Sequence, residues 1–254
     1  MAPTYPELAD KYSIITGSGS GIGLAQTELL LAQGTHCAGI DRQLSEPLQQ
    51  LQQRYPQLLK IYQCDISNDI ELRRIAADIL SESPQVDFLL NTAGILDDYR
   101  PSLQTTLAQW DQFMQTDLRS QFVLTNAILP GMLARKSGKI LNMASIAGLV
   151  AGGGGAVYTA AKHAVIGYTK QLDYDYAKYG LSANCLAPGA IDTPMNAADF
   201  TGDGAMAKTV ADQTPARRWG HAQEVALVTL FMLSHGADFI HGAVIPIDGG
   251  WIEQ

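Results

Sequence analysis

Thr16-Gly17-Ser18-Gly19-Ser20-Gly21-Ile22-Gly23 follows a short β-branched run and opens directly into an apolar helical stretch. Glycines at a strand-to-helix junction let the backbone turn tightly and approach a pyrophosphate. The helix that follows offers free N–H groups and partial positive charge to an anion. The spacing is G-x-x-x-G-x-G, with Ile22 where the G-x-G-x-x-G fingerprint has glycine. An acid, Asp41, stands twenty positions beyond Gly21, where such a fold places the carboxylate that holds an adenosine ribose. The stretch therefore reads as a dinucleotide cradle, with Gly17, Ser20, Gly21, Ile22 and Gly23 against the ligand.

Asp41 bears on which dinucleotide. A carboxylate there accepts hydrogen bonds from ribose hydroxyls and repels a 2′-phosphate. Like charges about 4 Å apart at an effective dielectric of 20 repel by about 4 kcal/mol, close to a thousandfold in binding. Arg42 next door offsets part of that by attracting a phosphate. The expectation is NAD, with NADP as the lesser possibility.

Working outward, β-branched runs alternate with longer helical stretches. Strands are expected over 12–16, 36–40, 60–64, 86–90, 139–143, 182–186 and 243–247. Helices are expected over 22–32, 47–55, 70–80, 107–135, 157–179 and 224–233. Strands alternating with helices of this length mean βαβ units. The fold class is α/β: a doubly wound, Rossmann-type seven-stranded parallel sheet with helices on both faces. No repeat or composition break divides the chain, so residues 1–254 read as one dinucleotide-binding and catalytic domain. Pro188 to Pro215, rich in Gly, Asp, Ala and Thr, reads as an irregular segment with a substrate lid around 190–215.

The composition excludes other classes. The chain has 254 residues, 46% of them hydrophobic, enough for a core without disulfide or metal support. Seventeen Lys and Arg against 25 Asp and Glu give a net charge of −8, which argues against nucleic acid as a partner. The longest strongly apolar run, Val225 to Leu233, is about half a membrane span. Cys37, Cys64 and Cys185 are odd in number and sit among apolar neighbours, as reduced thiols do in a cytoplasmic protein. The five histidines show no metal-ligand spacing, and no metal site is expected.

One more pair carries chemistry. Tyr158 and Lys162 are four residues apart and share a helix face. An ammonium near a phenol favours phenolate and lowers a pKa that is otherwise near 10. Ser145 ends the fifth expected strand, where active groups of a parallel sheet gather. Alone, Y-x-x-x-K is a weak signal. In order along the chain, however, stand the Thr16–Gly23 turn, Asp65, Asn91-Thr92-Ala93-Gly94, Ser145, Tyr158-x-x-x-Lys162, Pro188-Gly189 with Thr193, and Asp248-Gly249-Gly250. In these features the chain resembles the short-chain dehydrogenase/reductase family over nearly its whole length.

That resemblance implies roles. Tyr158 would be the general acid/base, Lys162 would lower its pKa and hold the nicotinamide ribose, and Ser145 would hydrogen-bond the substrate oxygen. Asp65 and Ile66 would flank the adenine, with Asn91, Ala93 and Gly94 beside the cofactor. Pro188, Gly189, Ile191 and Thr193 would meet the nicotinamide end. One position departs from the pattern: where family members usually have an asparagine that holds a water, Asp117 stands here. An ionised aspartate accepts but cannot donate, and its charge acts on Lys162.

The substrate wall is expected from Ile146 to Gly155, small or apolar, and from Met195, Phe200 and Met206 of the lid. Such a pocket suits a ketone, a secondary alcohol or an acyl chain better than a charged sugar acid. Asp97, Asp98 and Arg100 read as a solvated loop at its mouth. Apolar residues around much of the Tyr158 helix, among them Val165, Ile166, Tyr168, Leu172, Tyr174, Tyr176 and Tyr179, point to burial on several sides. Family habit then implies a homotetramer. Three functions stay open. The leading one is an NAD(H)-dependent oxidoreductase of secondary alcohols and ketones. The others are a 3-oxoacyl-carrier-protein reductase using NADPH, and a dinucleotide-binding regulator with catalysis impaired by Asp117.

Overall fold

A computed structural model describes residues 3–253. Seven parallel strands form the main sheet: β1 (Tyr12–Thr16), β2 (His36–Asp41), β3 (Leu59–Gln63), β4 (Phe88–Asn91), β5 (Gly138–Met143), β6 (Leu181–Pro188) and, last in the chain, a strand at Val244–Ile247. Their order is β3-β2-β1-β4-β5-β6 followed by Val244–Ile247. The chain winds outward from β1 to β3, then returns to lay β4 against the free side of β1. That reversal opens a crevice at the carboxyl ends of β1 and β4, the place where such sheets bind ligands.

The sheet is buried on both faces because its strands are apolar on both. Ile14 and Ile15, neighbours in β1, enter opposite cores, as do Leu89 and Leu90 of β4 and Ile140 and Leu141 of β5. Alternation of side chains along a strand dictates this, and it needs helices on each side. One side is covered by α1 (Gly21–Ala32) and α2 (Glu46–Arg54), through Leu30, Leu31, Leu48 and Leu51. The other is covered by α3 (Asp69–Glu82), through Leu72, Ile75 and Ile79.

The long helix expected over 107–135 is two helices, α4 (Leu107–Met114) and α5 (Ser120–Arg135), joined by a π-helical turn at Gln115–Arg119. A wide turn of this kind shifts the register of the side chains that follow, and here Thr116 and Asp117 are buried within it. Periodicity alone does not reveal such a turn. The helix α6 (Ala156–Tyr176) buries Val165, Ile166 and Leu172 but leaves Tyr174 exposed, as is Tyr179 in the 3₁₀ turn that follows at Ala177–Tyr179.

The segment after β6 is more ordered than its composition suggests. A strand β7 (Ile191–Asp192) leads to a 3₁₀ turn at Pro194–Phe200 and a helix α7 (Ala205–Gln213). A second short strand, β8 (Gly220–His221), then pairs in parallel with β7 before α8 (Ala222–Leu233) and the final strand, β9 (Val244–Ile247). Ala205, Ala207 and Ala211 supply helix propensity that the flanking Gly and Asp obscure. No helix among the described residues is long and apolar enough to cross a membrane.

Candidate active site

A cavity of about 720 Å³ lies across the carboxyl ends of the strands. Its wall includes Gly17, Ser20, Gly21, Ile22, Gly23, Asp41, Arg42, Asp65, Ile66, Ala93, Gly94, Ser145, Tyr158, Lys162, Pro188, Gly189, Ile191 and Thr193. Two expected residues stand apart from that wall: Asn91 and Asp117.

At one end the wall is main chain. The turn after β1 is tight enough that a Cβ on Gly23 would lie 2.1 Å from the Gly17 carbonyl oxygen, so only glycine fits there. The N-terminus of α1 carries no acidic residue in its first turn and receives no side-chain cap. Its N–H groups, at Gly21 to Gly23, border the cavity without a resident anion from the chain. A glycine cradle and an uncapped helix start suit a pyrophosphate. Thr16 ties the cradle to the next crossing, its Oγ1 accepting the N–H groups of Thr92 and Ala93, each at 3.0 Å.

Asp41 is fixed at the rim. Its Oδ2 accepts the Gly19 N–H and its Oδ1 the Gln43 N–H, both at 2.9 Å. Two hydrogen bonds leave a carboxylate with further lone pairs for a ligand. Asp65 accepts the N–H and hydroxyl of Ser67, at 2.9 and 2.7 Å, while Asn68 caps α3 by itself.

Asn91 turns inward instead of toward the cavity. Its Nδ2 donates to Asn142 Oδ1 at 2.8 Å and to Thr125 Oγ1 at 3.2 Å, and Asn142 in turn donates to Thr169 at 2.8 Å. This buried ladder joins β4, β5, α5 and α6. Its residue holds the strands on which the site stands.

At the other end three ionisable side chains meet. Lys162 Nζ donates to the Met143 carbonyl at 3.1 Å and lies 3.1 Å from Asp117 Oδ2. Lys162 is 2% exposed and Asp117 is fully buried. The other Asp117 oxygen accepts the Ile95 N–H at 2.9 Å, so the carboxylate joins the loop after β4 to the ammonium. Gly94 makes room for that pair, since a Cβ there would come within 3.0 Å of Asp117 Oδ2. The Tyr158 ring lies 5.3 Å from Lys162 Nζ, and Ser145 lines the same wall, its Oγ accepting the Ala147 N–H at 3.1 Å.

The charges act in a definite direction. Burial pushes the Tyr158 phenol up, the Lys162 ammonium pulls it down, and Asp117 pushes it up again, leaving it above the ordinary tyrosine value. Burial works against the Lys162 charge, yet Asp117 and Tyr158 outweigh it and hold the ammonium above the usual lysine value. Lys162 is thus a fixed cation and Tyr158 a phenol protonated at neutral pH.

Asp97 belongs to this machinery, although its neighbours made it look like a solvated loop residue. It is 2% exposed, and its two oxygens accept the N–H groups of Gly155 at 2.7 Å and Tyr158 at 3.0 Å. It therefore caps the start of α6 and fixes the backbone of Tyr158. Asp98 and Arg100 do sit at the surface, paired at 3.3 Å. The sequence also gave no hint of Tyr99, Trp219 or Trp251 in the wall. Of the expected substrate residues, Ile146, Gly152, Gly153, Met195 and Met206 line the cavity. Phe200 stands behind them, packed on Trp219 with ring centroids 4.8 Å apart.

With that geometry in view, comparison with known proteins is informative. A profile described as enoyl-(acyl carrier protein) reductase matches residues 17–252. The chain belongs to the short-chain dehydrogenase/reductase family. A member from Eggerthella lenta, 3beta-hydroxysteroid dehydrogenase 2, is 32% identical over 250 residues, covering 97% of this chain and 96% of the relative. The 3-oxoacyl-[acyl-carrier-protein] reductase of Vibrio cholerae is 34% identical over 244 residues, covering 96% and 98%. Among solved structures of the family, a protein from Beutenbergia cavernae described as an NAD(P)-dependent gluconate 5-dehydrogenase, with NADP bound at low occupancy, superposes with a TM-score of 0.90 at 30% identity, covering 97% of this chain and 98% of that one. The protein is thus a short-chain oxidoreductase of the class that acts on CH–OH and keto groups with a nicotinamide dinucleotide.

Proposed function

We propose that the protein is an NAD(H)-dependent oxidoreductase interconverting a secondary alcohol and a ketone, with Tyr158 as general acid/base. The observation that carries this reading is Tyr158 in a buried site with Lys162 and Ser145, at the sheet end that also holds the glycine cradle. A bound nicotinamide would accept or supply the hydride. In oxidation Tyr158 would first lose its proton to solvent, and the phenolate Oη would then take the hydroxyl proton of the alcohol as the carbinol C–H bond broke and its hydride went to the nicotinamide. The products are ketone, reduced cofactor and one proton released to solvent. In reduction the protonated phenol donates to the carbonyl oxygen, the state that burial of Tyr158 favours at neutral pH. Ser145 holds the substrate oxygen, and Lys162 fixes the ribose and tempers the phenol. Asp65, Ile66, Ala93, Gly94, Pro188, Gly189, Ile191 and Thr193 bind along the cofactor. The segment 190–215 serves as the substrate lid of a single domain.

Asp41, anchored by two main-chain N–H groups, supports NAD over NADP. A second reading, 3-oxoacyl-carrier-protein reductase with NADPH, has the Vibrio cholerae relative in its favour and Asp41 against it. Asp117 does not require an impaired site, because Lys162 balances its charge. Buried thiols at Cys37, Cys64 and Cys185 suit the reducing cytoplasm. Half-exposed Phe122, packed on Tyr168 at the outer face of α5 and α6, supports a homotetramer, which sedimentation at micromolar concentration tests.

The deciding experiment follows absorbance at 340 nm with a panel of secondary alcohols and either NAD or NADP. Turnover with NAD supports the proposal. Turnover only with NADPH and an acyl-carrier substrate moves the assignment to the second reading. Nucleotide binding without any turnover leaves a regulator.

A further inference from the structure

The substrate end of the cavity differs in charge and polarity from the cofactor end. Tyr99, Met195 and Met206 stand at its mouth with 51%, 46% and 58% of their surface in water. Val210, Trp219 and Trp251 line the cavity as well. Exposed large apolar side chains around a cavity mark a surface that gains by being covered, at about 25 cal/mol per Å² of apolar area.

The cations in the wall are Arg42 and Lys162. Arg42 follows β2, beside Asp41 at the cofactor end. Lys162 is neutralised by Asp117 at 3.1 Å. The substrate end holds an acid instead. Asp199, on the 3₁₀ turn at Pro194–Phe200, forms no ion pair among the described residues. Asp199 lines the cavity together with Tyr99 and Met195, and its charge acts on the Tyr99 phenol. An anionic substrate would meet that charge with no cation in the wall at that end, and Arg100, next along the chain from Tyr99, is already paired with Asp98 at 3.3 Å. In a partly desolvated cavity repulsion is screened less than in water.

We infer that the site takes an uncharged, largely apolar ketone or secondary alcohol and rejects carboxylated ones, with Asp199 setting the charge filter. The inference rests on the oxidoreductase reading above, and its test separates the two. Two ketones of one shape serve as probes, 4-methylcyclohexanone and 4-oxocyclohexanecarboxylate. Each is titrated into the NADH complex, with binding followed by the fluorescence of Trp219 and Trp251 and turnover by loss of NADH absorbance. The neutral ketone binds at least about tenfold more tightly than the carboxylate. Asp199→Asn narrows that ratio by about tenfold, whereas Asp199→Glu keeps it. Equal binding of the two ketones, or no binding of the neutral one up to its solubility, overturns the inference. A ratio unmoved by Asp199→Asn removes Asp199 from it. Charge-selective binding without NADH loss leaves the filter standing and fells the hydride-transfer reading alone.

Discussion

At the Gly17–Gly23 end the cavity wall is main chain seated on main chain; at the Tyr99–Trp219 end it is side chains carried on excursions from the sheet. The first end has almost no tolerance, since one added methyl at Gly23 collides with a carbonyl oxygen. The second has half-exposed methionines and a helix, α7, that rests on the rest of the fold through few buried residues. Between them stand Tyr158 and its carboxylates. One end of the cavity is closed to any added atom, and the other is bordered by side chains with room to move. Mutations should therefore divide by end, with losses of nucleotide binding on one side and changes of rate, pH or selectivity on the other.

Gly23→Ala gives the largest effect. The Cβ, 2.1 Å from the Gly17 oxygen, forces the turn open, destabilises the fold by about 1–3 kcal/mol and removes NAD binding in titration calorimetry. Retention of both stability and affinity would show that the cradle is softer than its geometry. Asp41→Asn comes next. Loss of the anchored carboxylate shifts the NAD to NADP affinity ratio toward NADP by on the order of 10²–10³-fold, the effect of about 4 kcal/mol. An unchanged ratio would detach Asp41 from cofactor choice.

These two residues were also the easiest to read from the chain, and for the same reason. A tight turn, a helix start and an acid at the end of the next strand are local features, written in consecutive residues. The parallel sheet was equally legible, because strands buried on both faces are apolar throughout, as Ile14-Ile15 and Leu89-Leu90 are. Asp97 was not legible: its partners, Gly155 and Tyr158, lie 58 and 61 residues away. Nor was the inward face of Asn91, which depends on Asn142 opposite it across β4 and β5. The π-helical turn that buries Asp117 hid inside a continuous helical pattern. The lid read as irregular because Gly202, Gly204 and Asp203 mask the short helix beside them.

The smaller effects probe the middle ground. Asp97→Ala strands two buried N–H groups at the start of α6, at a cost of about 1.5–3 kcal/mol. It lowers kcat by displacing Tyr158 while leaving NAD affinity within about twofold. An equal loss of nucleotide binding would mean that the two ends are not separable. Asp117→Asn changes the pH profile. Without the carboxylate, the Lys162 charge is unopposed, phenolate is favoured and the Tyr158 pKa falls. Alcohol oxidation needs the phenolate, so its rising limb moves to lower pH. An unmoved or alkaline-shifted limb would rule out electrostatic control of Tyr158 by Asp117.

The role of the Tyr158 hydroxyl is tested most directly by Tyr158→Phe, in a single turnover of NADH with a neutral ketone at saturating cofactor. The ring packing is kept and one oxygen is removed. The variant binds NADH as the wild type does, and its rate of NADH oxidation falls by about 10²–10⁴-fold. A Tyr158→Phe enzyme that oxidises NADH at the wild-type rate would contradict the account.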